Sequence, residues 1–436
     1  MSHLTGGETS ALTDLYSRTT LWGAKPDGKF SILHDAPQAL DRTKSLHFAP
    51  GTEFSYSNVN FHVLGRILEE VSGMCLAQLL VERVFIPAGM THAGLCPNTN
   101  GLPLPIVGYE GNDTIGYFAA TNRIEWAGDA GIAASLEDMI AYEQYLDRSL
   151  SDQNSLYATT STQQHFRDGA PAVYGYGLAR SERAEKTVIS HGGGLRGFSH
   201  ERLQVPSERL NTLVFLNFSA APNMLSDYIL HKMLDWKEPE PKSITAASEL
   251  SGAFLDPNTQ LYLEIKAGEG MKPGEISMRY GAGTSGQTIK LTSETTAESP
   301  STKLKLEGNI LHVERITDNR TIRAERIPPP EDAAATRAAS VNVYGSYHCD
   351  ESDSTFNVTG EDGVLHGSFD GFLGKGPIWL MRHLGDNVWA LGNPRAMDST
   401  PPGDWTVVFK RAKDGKAVEG CTVGCWLARD VQYVKL

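Results

Sequence analysis

The chain has 436 residues, enough for two or three domains, each with its own buried core. Its 39 lysines and arginines stand against 52 aspartates and glutamates, and the resulting net charge of −13 argues against nucleic acid as a partner. Five cysteines with no Cys-x-x-Cys spacing offer no disulfide framework, and neither a leader-like segment nor an apolar run of roughly 18 residues occurs; the reading is a soluble, cytoplasmic protein with no membrane partner.

In chain order, the first forty residues are polar and Gly-rich, with Tyr16, Leu21 and Trp22 as their sizeable apolar group, and do not read as the start of a domain. His47 to Gly51 leads into Phe54-Ser55-Tyr56-Ser57-Asn58. Leu64, Ile67, Leu68 and Val71 follow at helical spacing, closed by Gly73. Tyr56 and Asn58 sit on a turn before that helix, where side chains project into a cleft; a plain turn asparagine is the competing reading of Asn58. Phe85 to Met90 ends another helix, and Ser135-Leu136-Glu137-Asp138 caps a third, through Met139, Tyr142 and Leu146.

Strands are expected at Thr187–Ser190, Phe198–Val205 and 210–218, and a helix with apolar Leu225, Ile229, Met233 and Trp236 closes the first domain. Between the first two strands lies His191-Gly192-Gly193-Gly194. Glycines there let backbone amides lie along a substrate, or else mark a tight turn in a sheet. A phosphate loop is excluded because such loops open a helix. His191 is either a group that meets the substrate or a satisfied core histidine. His200-Glu201 begins like a zinc helix, but Gln204 stands where the second histidine is needed, so no metal is expected.

Lys237 to Pro241 reads as a stiff, charged linker, after which the period changes. Leu261, Leu263 and Ile265 alternate with Tyr262, Glu264 and Lys266, and Glu307-Gly308-Asn309 signals a hairpin. Pro328 through Ala339 reads as a second linker. Gly252-Ala253-Phe254-Leu255-Asp256 is then echoed by Gly345-Ser346-Tyr347-His348-Cys349-Asp350, each before an alternating run. The expected architecture is an α+β domain over 1–238 and two antiparallel β-barrels over 248–327 and 341–436. Cys421 and Cys425 are read as core or surface thiols.

A Tyr-x-Asn turn before an amphipathic helix, followed far downstream by a His-x-Gly strand, resembles the serine β-lactamase and penicillin-binding-protein superfamily. Ala120 to Arg123, Gly128 to Gly131, Phe372 to Lys375 and Gly424 to Arg429 narrow the resemblance to its D-aminopeptidase branch. It implies a β-lactamase/transpeptidase-like domain followed by β-barrels. It implies Tyr56 as general base, Asn58 as a group that bonds the substrate amide or orients a lysine, and His191 beside them. Gly192, Gly193 and Gly194 would line the substrate, with the Gly194 amide in the oxyanion hole. A loop of the last barrel enters the cleft in that branch, and Asp398 matches its carboxylate, suited to a free α-ammonium; the alternative is a solvated loop aspartate. No cofactor is implied.

The family's nucleophile is a serine in Ser-x-x-Lys, and no lysine in this chain has serine three residues before it; no Gly-x-Ser-x-Gly elbow occurs either. A tyrosine without a neighbouring ammonium is a poor base, since only about one in a thousand is phenolate at pH 7. Losing the nucleophile costs on the order of 10⁶ in rate. The opening residues read as mid-domain text, and element lengths put about 70 to 100 residues upstream of them; the expectation is a fragment or mis-started product of an active enzyme, whose sheet would have an exposed edge and an unfilled face, with a genuine short form without activity as the alternative. The leading function is release of N-terminal D-residues from small peptides, amides or esters through an acyl-enzyme, with this span inactive. The alternatives are a non-catalytic binding protein and a β-lactamase-like esterase. The expected partner is a small peptide or amino-acid amide, with a homodimer as the candidate assembly.

Overall fold

The structure is a computed structural model that describes residues 19–43, 46–218, 220–235, 249–267, 271–281, 286–392, 404–426 and 428–436. Its first part is a mixed layer of helices around an antiparallel sheet, and its second part is two closed β-barrels.

Three helices matter for the site: α1 (Val59–Ser72), α2 (Leu136–Leu150) and α3 (Pro222–Met233). Helix α1 stops at Gly73, whose φ of 68° lies in the left-handed region. The expected capping box opens α2: Ser135 Oγ accepts from the Asp138 amide at 3.1 Å and Asp138 accepts from the Ser135 amide at 3.0 Å. The five strands of the sheet are β1 (Tyr174–Gly175), β2 (Leu178–Arg183), β3 (Lys186–Leu195), β4 (Phe198–Val205) and β5 (Leu210–Leu216), in the order β5-β4-β3-β2-β1. Strand β3 does not stop at Ser190. It runs on through His191 and the glycines because Ser199 to Arg202 of β4 pair with Gly194 back to His191.

The apolar faces of two helices point the other way from what spacing predicts. In α1 the buried positions are Val59, Asn60, His62 and Gly65, whereas Ile67, Leu68 and Val71 are exposed. In α3 the buried positions are Pro222, Ser226 and Leu230, and Leu225, Ile229 and Met233 are exposed; Trp236 lies outside the described residues. Leu230 packs with Val188, Leu203 and Val205 of the sheet, so this face of α3 is fixed by a narrow strip of contact.

The first barrel closes eight strands in sequence order, from Gly252–Leu255 to Arg320–Ile327, with Ala253 opposite Ile327. The second, Gly345–Cys349 to Ala428–Lys435, closes eight strands through Ser354–Glu361 pairing with Val364–Gly371, with Gly374–Lys375 added at one side. The sequence echo is structural: Gly252 and Gly345 both have positive φ (149° and 128°), and Phe254 and Tyr347 two residues on are fully buried in their respective barrels. Leu263 and Ile265 point into the first barrel as alternation requires. Tyr262, on the opposite face, is also buried, because it packs with Leu384, Val388 and Val408 of the second barrel.

Two segments differ from expectation. Residues Ala333–Ser340, inside the expected second linker, form a helix because Asp332 accepts from the Ala335 amide at 2.8 Å and the alanines that follow are strong helix formers. Leu21 and Trp22, from the opening stretch that does not read as domain text, are fully buried, and Leu21 belongs to the core of the last barrel. The Trp22 carbonyl accepts from Leu373 at 3.1 Å and its ring lies 5.4 Å from that of Phe372, so the Phe372 to Lys375 motif holds the N-terminal segment. The linker Lys237 to Pro241 lies outside the described residues. Cys421 and Cys425 are thiols buried in the second barrel, and burial pushes the Cys421 thiol up.

Candidate active site

The Tyr56 turn is built by alternation. Ser55 and Ser57 are buried on either side of it, so Tyr56 faces outward and is 40% exposed. The turn is clamped from the first barrel: the Phe54 amide donates to the Asp318 carbonyl at 2.9 Å, and Asn319 Nδ2 donates to the Thr52 carbonyl at 2.9 Å. It is clamped from below by the Gly128 to Gly131 turn. Gly128 has φ 89°, and a Cβ there would stand 2.4 Å from the Phe61 carbonyl oxygen of α1. Asn58 occupies the N-cap position of α1 without a side-chain capping bond.

Across from the turn, β3 is paired on both sides at Ile189 and Ser190, and β2 pairs with it only from Lys186 to Ser190. From His191 onward its only ladder partner among the described residues is β4, so the glycine stretch presents backbone on its other edge. A Cβ on Gly193 would fall 1.9 Å from His200 Cε1 and one on Gly192 2.4 Å from a Glu201 carboxylate oxygen, whereas one on Gly194 would meet nothing within 4 Å. Gly194 is exposed, at the open end of the stretch.

His191 is held by two bonds. Its Nε2 lies 2.6 Å from the Tyr174 hydroxyl, and its Nδ1 bonds the Gly192 carbonyl. A carbonyl can only accept, so Nδ1 carries the proton and Nε2 accepts from Tyr174. Burial, reinforced by the charge of Arg202, lowers the His191 pKa against the bond to Gly192, which leaves a neutral imidazole. Arg202 is the cross-strand neighbour of His191 and forms a buried fork on Glu143 of α2, with Nε–Oε1 2.5 Å and Nη2–Oε2 2.6 Å. Burial disfavours the guanidinium, but the bonds to Glu143 more than offset it and raise the Arg202 pKa.

Tyr174 joins the two predicted motifs. Its ring is 6.0 Å from that of Tyr56 and 5.4 Å from that of Phe54, while its hydroxyl bonds His191. Sequence reasoning passed over it. The available signal was Tyr174-Gly175-Tyr176-Gly177, two aromatics with interleaved glycines just before a strand, with Tyr176 at φ 55°. Asp398 lies outside the described residues.

A β-lactamase-like domain with a tyrosine turn across from a His-x-Gly strand, followed by two eight-stranded barrels, defines the β-lactamase and penicillin-binding-protein class of fold. Comparison with known proteins places the chain within it. The family described as "Beta-lactamase" matches residues 9–230, and that described as "D-aminopeptidase, domain B" matches residues 243–434. A D-aminopeptidase of Brucella ovis is 38% identical over 98% of this chain and 79% of its own length, and one of Brucella anthropi is 37% identical over the same shares. Among solved structures, the octameric penicillin-binding protein homologue of Pyrococcus abyssi superposes with a TM-score of 0.47 at 17% identity, over 74% of this chain and 77% of that one. The chain belongs to the D-aminopeptidase family of the β-lactamase and penicillin-binding-protein superfamily.

Proposed function

We propose that this chain carries the substrate-recognition part of a site that releases N-terminal D-residues from small peptides, amides or esters, and that the 436-residue span by itself performs no acyl transfer. The carrying observation is the pairing of the Tyr56–Tyr174–His191 cluster with a sequence in which no Ser-x-x-Lys occurs. In this reading Tyr56 is the base of the complete site, Asn58 bonds the substrate amide, and His191 stays neutral as an acceptor for Tyr174. The free edge of Gly192 to Gly194 receives the substrate backbone, and Asp398 pairs with its α-ammonium.

The test is an assay of the purified span on D-alanine amide, alongside a binding titration with the same compound. Binding without hydrolysis above background is expected. In the binding titration Asp398→Ala weakens D-alanine amide and spares its N-acetyl derivative. Robust turnover by the span alone would overturn the proposal and require another nucleophile.

A further inference from the structure

Strand β3 carries a crevice at its start, away from the glycines at its other end. The crevice measures about 750 Å³, within the range of small-molecule sites. Thr187 and Ile189 of β3, Arg180 of β2 and Leu150 at the end of α2 are among the residues that line it.

The polar lining divides by sign and by what each group has left to offer. Arg180 donates from Nη1 to the Ser161 carbonyl at 2.8 Å and from Nη2 to Thr187 Oγ1 at 3.4 Å, so further N–H groups of the guanidinium stay unspent among the described residues. Lys186 adds a second cation, held 2.5 Å from Glu208. Gln163 is the reverse case. Both hydrogens of its amide go to carbonyls, of Gln164 at 2.8 Å and of Ala172 at 2.7 Å, so toward a ligand it can only accept. Glu185, in the turn between β2 and β3, brings an exposed carboxylate, and Leu150, Ile189 and Pro206 supply apolar surface. A ligand matched to this set has an anionic end, a cationic end and a compact apolar middle.

We propose that the crevice is a binding site for short zwitterionic peptides, with the C-terminal carboxylate on Arg180 and Lys186 and the α-ammonium on Glu185 and Gln163. A simple anion leaves Glu185 and Gln163 unmatched, and a simple amine leaves Arg180 unmatched. The proposal stands on the crevice alone and does not depend on the acyl-transfer reading. Arg180 and Ile189 also line a narrow inner void that reaches Tyr174, so occupancy is expected to be felt at the tyrosine whose hydroxyl bonds His191.

The experiment titrates D-alanyl-D-alanine into the 436-residue chain held in excess D-alanine amide, which competes for the Tyr56 cleft, and follows backbone amide resonances. Saturable 1:1 binding is expected, with shifts centred on Ser161, Thr187, Ile189 and Tyr174. Arg180→Gln and Glu185→Gln, with unchanged circular dichroism, should each weaken it by about tenfold, the loss of one charge-assisted hydrogen bond. Modified ligands make the same test without touching the fold. The N-acetyl peptide should lose about as much on the unmodified chain and little more on Glu185→Gln, and the C-terminal amide should behave likewise with Arg180→Gln. Three results would overturn the proposal: no saturation in the millimolar range, shifts confined to Gly192–Gly194, or inorganic phosphate that binds as tightly with the same shifts.

Discussion

His191 and His62 are both held below the ordinary histidine pKa, each first by burial. Above about pH 6.5 the imidazoles are neutral in folded and unfolded chains alike; below it the unfolded chain binds protons that the folded one refuses, so their contribution is lost as pH falls. The urea midpoint of His191→Asn is therefore expected to drop less between pH 7 and pH 5 than that of the unmodified chain, and an equal drop would remove His191 from the titrating set. Gly128 offers a second test at this scale. With positive φ and the Phe61 carbonyl 2.4 Å from its virtual Cβ, Gly128→Ala should cost about 2 kcal/mol or more by chemical denaturation and disturb the start of α1. Tyr56 rides on that helix start, so this glycine links backbone strain to the cluster.

At the scale of elements, the Arg202–Glu143 fork ties β4 to α2 directly beneath His191. Both side chains are buried, so removing one partner leaves the other as an uncompensated charge. Either Arg202→Met or Glu143→Leu is expected to destabilise by about 3–5 kcal/mol, while the double variant should be less destabilised than either single, a non-additivity read from a double-mutant cycle. The cap of α2 was legible in the sequence because Ser135 and Asp138 act within one turn. The orientation of α1 and α3 was not. Their apolar residues recur at helical spacing, but which stripe is covered depends on what packs there: Leu230 meets the sheet and Ser226 is buried, whereas Leu225 and Ile229 stay 48% and 40% exposed. Ser226 Oγ is buried without a hydrogen-bond partner among the described residues, so Ser226→Ala should leave the melting temperature unchanged or raise it.

Across the whole molecule, the barrels act as supports for the Tyr56 turn. Trp426, on the hairpin that joins the last two strands, has its ring centre 4.1 Å from that of Tyr280 of the first barrel, tilted by 33°, and the guanidinium carbons of Arg315, Arg320 and Arg429 lie 4.9, 5.4 and 4.2 Å from its ring centre. Arg315 also pairs with Asp318, whose carbonyl holds Phe54. Trp426→Ala is expected to cost about 1–2 kcal/mol through lost ring–ring and cation–π contact, and to speed hydrogen exchange at the Phe54 amide. Unchanged exchange there would mean that the barrels hold the turn independently of this cluster.

The sequence by itself determined what depends on near neighbours along the chain: the tyrosine turn, the capped helix, the hairpin at Gly308, and two barrels announced by echoed Gly-to-Asp segments and by period-two alternation. Those signals are local because caps, turns and pleats are set by a few consecutive dihedrals. It also fixed the family, through motifs spread over nearly the whole length. Only the tertiary structure decided that β3 continues through its glycines, since that needs β4 as a partner. The tertiary structure likewise placed Tyr174 between Tyr56 and His191, buried Leu21 and Trp22 against the last barrel, and left Leu225, Ile229 and Met233 of α3 and Phe215 of β5 exposed. Each of these rests on contacts between residues far apart in sequence, where hydrophobic pattern records that a side chain is apolar but not which surface it meets.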